Sequence, residues 1–251
     1  MSEFDSAFLC GLLRKYHPQK IVEVGVSAGG TTAIMLQCLE DIGQQYSMKS
    51  IEISNKFYLD PSKDAGFLAE PIKKSLKIGE HQFYFGTTLP FVIDEIGNNI
   101  DFVILDTMHT LPGELLDFLT ILPYLKDNAV VVLHDVSLNQ RHGSQFFNLH
   151  ATTLLFSTVT ANKILNLILN NNIQFQYPNI AAFQINSDTM KYIENVFLAL
   201  ILRWIYFPSV KDLKGYAEII SRHYPQKLFL IFQEALRMNY EHFIIATKSK
   251  G

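Results

Sequence analysis

The chain has 251 residues, 48% of them hydrophobic and 18% charged, enough apolar material for one sizeable core. Its net charge of −3 leaves no basic footprint and argues against a nucleic-acid partner. Two cysteines, Cys10 and Cys38, do not make a disulfide scaffold and read as buried thiols on apolar helical patterns. The acidic start, MSEFDSAF, has no basic region before an apolar run, so no secretory leader is read and a cytoplasmic location is expected.

Phe4, Phe8, Leu9, Leu12, Leu13 and Tyr16 recur at helical spacing, which predicts an opening amphipathic helix ended by Pro18. A strand over 20–24 then leads into the most informative stretch, IVEVGVSAGG at 21–30. It delivers a strand through Gly25, Ser27, Gly29 and Gly30 onto a helix over 31–42, closed by Gly43. Small residues let backbone approach a ligand, and a helix start offers unpaired N–H groups to an anionic group. This is the pattern of a nucleotide- or cofactor-binding turn. A second strand over 48–53 carries Glu52 near its end. The acid lies about 20 residues beyond the glycines, where α/β nucleotide sites place an acid on ribose hydroxyls.

Residues 55–80 are broken by Pro61, Gly66 and Pro71, with a short helix at 69–76. A third strand over 81–85 ends at Gly86-Thr87-Thr88, and a short helix over 89–96 follows. Strands over 101–106 and 128–135 end in Asp106 and in His134-Asp135, with a helical pattern over 111–125 between them. The repeated β-α units predict an α/β, doubly wound, mostly parallel sheet, which binds ligands at the carboxyl ends of its strands. Glu23, Glu52, Asp106 and Asp135 fall there or near it.

Residues 137–150 are polar and loop-like, with His142 and His150 read as surface or acceptor-site residues. A helix is expected over 158–169 and a turn at 170–172. Two β-like runs, 173–177 and 180–186, separated by Pro178 and Asn179, are expected as an antiparallel edge pair. After Ser187 helical periodicity takes over, with boundaries at Pro208 and Pro225. The expected organisation is a ligand-binding domain over 1–187 and a helical extension over 188–251. The apolar run 196–207 is too short to span a bilayer and carries Arg203, so it reads as a buried or oligomer-facing helix. A homodimer contact through this tail is expected, with the tail also sheltering an acceptor pocket near 137–150.

The order Glu23-x-Gly25-x-Ser27-x-Gly29 resembles motif I of the class I S-adenosylmethionine (SAM) dependent methyltransferases, with serine for the middle glycine. A dinucleotide fingerprint would need G-x-G-x-x-G, which is not the spacing here. Residues 1 to about 186 resemble the small bacterial group that includes macrocin-type and other sugar O-methyltransferases. In that group the fourth strand ends L-D-G-x-H, and the fifth follows L-x-P-x-L-x-x-G-G and ends H-D. This chain has Leu105-Asp106-Thr107-Met108-His109, then Leu122-Pro123-Tyr124-Leu125-Lys126-Asp127-Asn128-Ala129, then Leu133-His134-Asp135. Thr107 and Asn128-Ala129 depart from the usual glycines, and the tail has no assignable counterpart.

The resemblance implies a SAM-dependent methyltransferase acting on a sugar, a nucleotide sugar or another small polar metabolite. It places the turn from Gly25 through Ser27, Gly29 and Thr31 near the methionine part of SAM, with Glu23 on its ammonium. Glu52 would take the ribose hydroxyls, Gly86 and Thr87 would border the adenine, and Asp106 would close the cofactor side. A sugar hydroxyl is a poor nucleophile, so a base or a metal is needed. His109, His134 and Asp135 stand as base and orienter. Related sugar and catechol enzymes hold Mg²⁺ through acids after the fourth and fifth strands, positions matched by Asp106 and Asp135. Histidine at 134, beside the second of these, suits that oxygen-seeking ion poorly. The alternative is a non-catalytic module of the same fold that assembles through its tail.

Overall fold

The computed structural model describes residues 1–165 and 179–248, with side chains through residue 245. The elements run α1 (Glu3–Tyr16), β1 (Lys20–Val24), α2 (Gly30–Ile42), β2 (Ser47–Glu52), α3 (Glu70–Lys73), β3 (Glu80–Phe85), α4 (Ile93–Ile96) and β4 (Ile100–Leu105). They continue α5 (Gly113–Ile121), β5 (Leu125–His134), α6 (Ala151–Thr158), β6 (Asn162–Leu165), β7 (Ile180–Gln184), α7 (Ser187–Lys191), α8 (Glu194–Ala199), α9 (Val210–His223) and α10 (Gln226–Lys248).

The strands form one sheet in the order β3-β2-β1-β4-β5-β7-β6. The first five are parallel, while β7 runs antiparallel to both β5 and β6. Alternate side chains of each strand point to opposite faces, and each face is covered. On one face Ile21, Met48, Phe102 and Ile104 pack with Leu9 and Leu13 of α1 and with Met35 and Leu36 of α2. On the other, Val22, Val103, Leu105 and Val131 pack with α5, α6 and the tail. This is the doubly wound arrangement that the repeated β-α units predict.

The tail lies in that second core. Val196, Phe197, Leu200, Ile220 and Phe232 are fully buried with the sheet residues. Its polar contacts also run inward: Tyr224 donates to the Leu119 carbonyl at 2.7 Å, and Tyr216 donates to Asp117 of α5 at 2.8 Å. Thr88, just past β3, donates to Asp212 of α9 at 2.9 Å.

Three local expectations are corrected. The helix expected over 158–169 is instead α6 ending at Thr158 and then β6, whose pairing with β7 decides its state; residues 166–169 lie outside the described residues. The edge pair is therefore β6 with β7, and both the run 173–177 and the turn at 170–172 lie outside the described residues. The apolar run 196–207 is helical only to Ala199, and the stretch beyond is fixed by Asn239 of α10, whose side chain accepts the Trp204 N–H at 2.7 Å. Both cysteines are free, Cys38 buried and Cys10 half-buried. Among the described residues no helix is long and apolar enough to cross a membrane.

Candidate active site

The carboxyl ends of β1, β4 and β5 meet at one point. Gly25 (φ 93°) sits so close to β4 that an added Cβ would lie 1.9 Å from the Asp106 carbonyl oxygen. A Cβ at Gly29 (φ 86°) would lie 2.8 Å from Gly66. Both glycines are thus demanded by the chain's own backbone crossing the turn, in addition to any approach of a ligand.

Three groups at this turn bear on cofactor binding. Glu23 is fully buried; its Oε2 accepts the Thr32 hydroxyl at 2.7 Å, and its Oε1 has no hydrogen-bond partner. Burial pushes its carboxyl up to about 8; the hydroxyls of Ser50 and Thr32 oppose the rise, and the charges of Asp106 and Glu52 add to it. A cation placed against that unpartnered oxygen would restore the ionised form. Glu52 accepts from the backbone N–H groups of Val26 (3.0 Å) and Ser27 (2.8 Å) through Oε2, and from Ser54 (3.0 Å) through Oε1. Oε2 is thereby filled, and the acceptor position left for a ligand hydroxyl lies on Oε1. The 13-residue α2 starts without a side-chain cap, so its first N–H groups suit a carboxylate. These features fit a zwitterionic amino-acid end and a ribose, the two ends of SAM. Gly86 (φ 68°) lies under the Asn55 side chain, and the Thr87 N–H donates to the Glu52 carbonyl at 3.3 Å, so both stand beside the same acid. Thr31 lies in the first turn of α2.

Asp106, His109, His134 and Asp135 form one cluster. His109 Nε2 is 3.3 Å from Asp135 Oδ2 and 3.6 Å from Asp106 Oδ1. His134 Nδ1 is 3.4 Å from the same oxygen of each acid. His109 and Asp135 both adopt left-handed backbone (φ 55° and 58°), a strained state for residues with a side chain, which places them toward one another. Burial disfavours charge on both rings, yet the neighbouring acids outweigh it. Glu114, Asp106 and Asp135 push His109 up to about 9, and Asp106 and Asp135 push His134 up to about 10. Burial alone would raise Asp135, but the two histidines and a 2.7 Å bond from Asn179 hold it well below the usual carboxylate range.

Three contributors were not legible in the sequence. Glu114, at the start of α5, accepts the His109 backbone N–H at 2.7 Å and stands 3.2 Å from His109 Nδ1. Asp5 of α1 stands 4.0 Å from His134 Nε2. Its motif, Ser2-x-x-Asp5, reads as a capping box, which it also is: Asp5 accepts the Ser2 N–H at 3.0 Å. Asn179 reaches Asp135 from the segment before β7. His142 and His150 have no contact to the cluster in the ion-pair and hydrogen-bond geometry described.

One oxygen each from Asp106 and Asp135 and one nitrogen of His134 lie within 4.8 Å of one another, close enough to share an ion. The donor set fits Mg²⁺ poorly, because that ion favours oxygen and both carboxylates already face imidazoles.

Residues 22–136 match the model of a family described as a methyltransferase domain. No curated protein matches the chain. Among solved structures, it is similar to the O-methyltransferase TomG from Streptomyces achromogenes, involved in tomaymycin synthesis and solved with SAM. The identity is 18%, covering 74% of this chain and 82% of that one, with a TM-score of 0.49. An O-methyltransferase from Bacillus cereus, solved with SAH, is 14% identical over 74% of this chain and 82% of that one, with a TM-score of 0.46. CalS11, a TDP-rhamnose 3'-O-methyltransferase of calicheamicin biosynthesis, is 13% identical over 72% of this chain and 78% of that one, with a TM-score of 0.49.

Proposed function

We propose that the chain, whose residues 22–136 match a methyltransferase-domain family, is a class I SAM-dependent methyltransferase that methylates an oxygen of a small polar acceptor such as a sugar. The observation that carries this reading is the pair of histidines set against Asp106 and Asp135, directly beside the glycine turn. When bound, SAM supplies an electrophilic methyl group on a sulfonium. Glu23 would face its ammonium, the start of α2 its carboxylate and Glu52 its ribose.

The protein's own part is to hold the acceptor hydroxyl and take its proton. His109 Nε2 is the atom assigned to that proton, with Asp135 and Asp106 stabilising the imidazolium that forms. His134 keeps Asp135 ionised and in place. We place this activity in a cytoplasmic homo-oligomer, with Leu198, Leu202 and Ile205, each at least 39% exposed, as apolar surface available to a second copy.

The pH dependence follows from the raised pKa. A base must be neutral, and the ring is protonated below about 9. Under saturating substrates, turnover should rise with pH and level off near 9, losing about tenfold per unit below that value. A rate that is flat from pH 6 to pH 9 would remove His109 as the base. No step here needs a metal, so chelation by EDTA should leave turnover unchanged. A loss restored by Mg²⁺ would place Asp106 and Asp135 in coordination and overturn that part of the reading.

A further inference from the structure

Glu114 lies five residues beyond His109, in the first turn of α5, and its side chain is fully buried. Burying a carboxylate this completely is unfavourable unless its oxygens are used. Only one of them is: Oε1 accepts the His109 backbone N–H at 2.7 Å and stands 3.2 Å from Nδ1 of the same residue, while Oε2 has no hydrogen-bond partner and Nδ1 makes no hydrogen bond in this geometry, only the ion-pair approach to Oε1. The His109 carbonyl in turn accepts the Ala151 N–H at 3.0 Å, at the start of α6. His109 is thus held at both backbone groups in a left-handed conformation that a non-glycine residue does not adopt freely. With Nδ1 turned to Glu114, Nε2 is turned to Asp135 and Asp106.

We propose that Glu114 is a positioning residue for His109: one buried oxygen, bonded to the backbone N–H and set 3.2 Å from Nδ1, holds the ring so that Nε2 is the nitrogen left to the acceptor. A base held by a buried third group is the general logic of base-assisted sites, in which the orienter sets both ring angle and tautomer. The proposal rests on the reading of His109 as the proton acceptor. The competing role is structural alone, an acid that satisfies one turn N–H at a helix start.

Two variants separate these roles. Glu114→Gln keeps an oxygen where the His109 N–H requires one, and so keeps the ring's partner. Glu114→Met fills the same volume with no such acceptor. On the alkaline plateau, Glu114→Gln should keep kcat within about threefold of the parent and Glu114→Met should lose about tenfold or more. Both should bind SAM within about twofold of the parent by calorimetry. Nitrogen-15 NMR of the ring, recorded on the alkaline plateau where the ring is neutral, should show Nδ1 protonated in the parent and in Glu114→Gln, and a mixture of tautomers in Glu114→Met. Parent-like turnover and tautomer in Glu114→Met would overturn the proposal, as would equal loss of turnover, SAM affinity and melting temperature in both variants. Should Glu114→Met fail to fold, the parent spectrum above about pH 9 decides: an unprotonated Nδ1 overturns the assignment. A parent-like rate in His109→Ala would instead bring down the reading of His109, whereas loss there with none in Glu114→Met brings down this proposal alone.

Discussion

Replacing His109 by alanine is expected to lower turnover by about 10²–10⁴-fold while SAM affinity stays within about twofold. The expectation follows from where the ring stands. Nε2 lies 3.3 Å from Asp135 and 3.6 Å from Asp106, while Nδ1 faces Glu114. Among the polar contacts described, none joins His109 to Glu23 or Glu52, the acids assigned to the cofactor. Removing the imidazole therefore removes a proton acceptor and leaves the cofactor cradle intact. Steady-state kinetics with SAM titrated by calorimetry checks both halves. Loss of SAM binding equal to the loss of rate would move His109 into the cofactor pocket.

The sheet was legible because β1, β4 and β5 read as short, mostly apolar runs, and the partly exposed β2 and β3 follow them in the same rhythm of strand, turn and helical period. The ends of those runs named Glu23, Glu52, Asp106, His134 and Asp135 directly. Residues 162–165 read as helix because a short apolar run carries no decisive period, and its state is set by pairing with β7 from a distant segment. Asp5, Glu114 and Asn179 escaped for a related reason. Each reaches the cluster from the edge of another element, through tertiary placement that no local pattern encodes. The run 196–207 looked helical throughout because apolarity was its only signal. Asn239, far along α10, fixes the backbone at Trp204.

Ending the chain at Ser187 is expected to abolish the fold. The lost segment includes Val196, Phe197, Leu200, Ile219, Ile220 and Phe232, all essentially buried in the core beside α5 and the sheet. At about 1.5–3 kcal/mol for each buried side chain, these six contribute about 9–18 kcal/mol, against a typical net stability of about 5–15 kcal/mol. The truncation also leaves Asp117, buried in α5, without the Tyr216 hydroxyl. The shortened chain should aggregate, or show no cooperative melting by circular dichroism. A soluble truncated chain with the parent's melting temperature would mean that the tail is an appendage. Light scattering on the full-length chain reads the homo-oligomer separately, since tail packing within one chain does not itself require a second copy.

Isothermal calorimetry with SAM, S-adenosylhomocysteine and NAD tests the central claim most directly. SAM and S-adenosylhomocysteine should bind, NAD should not, and Glu52→Ala should weaken both by at least about 1–3 kcal/mol, through the lost hydroxyl contact and the lost hold on the Val26 and Ser27 N–H groups. Binding of NAD with none of SAM would contradict the account at its root.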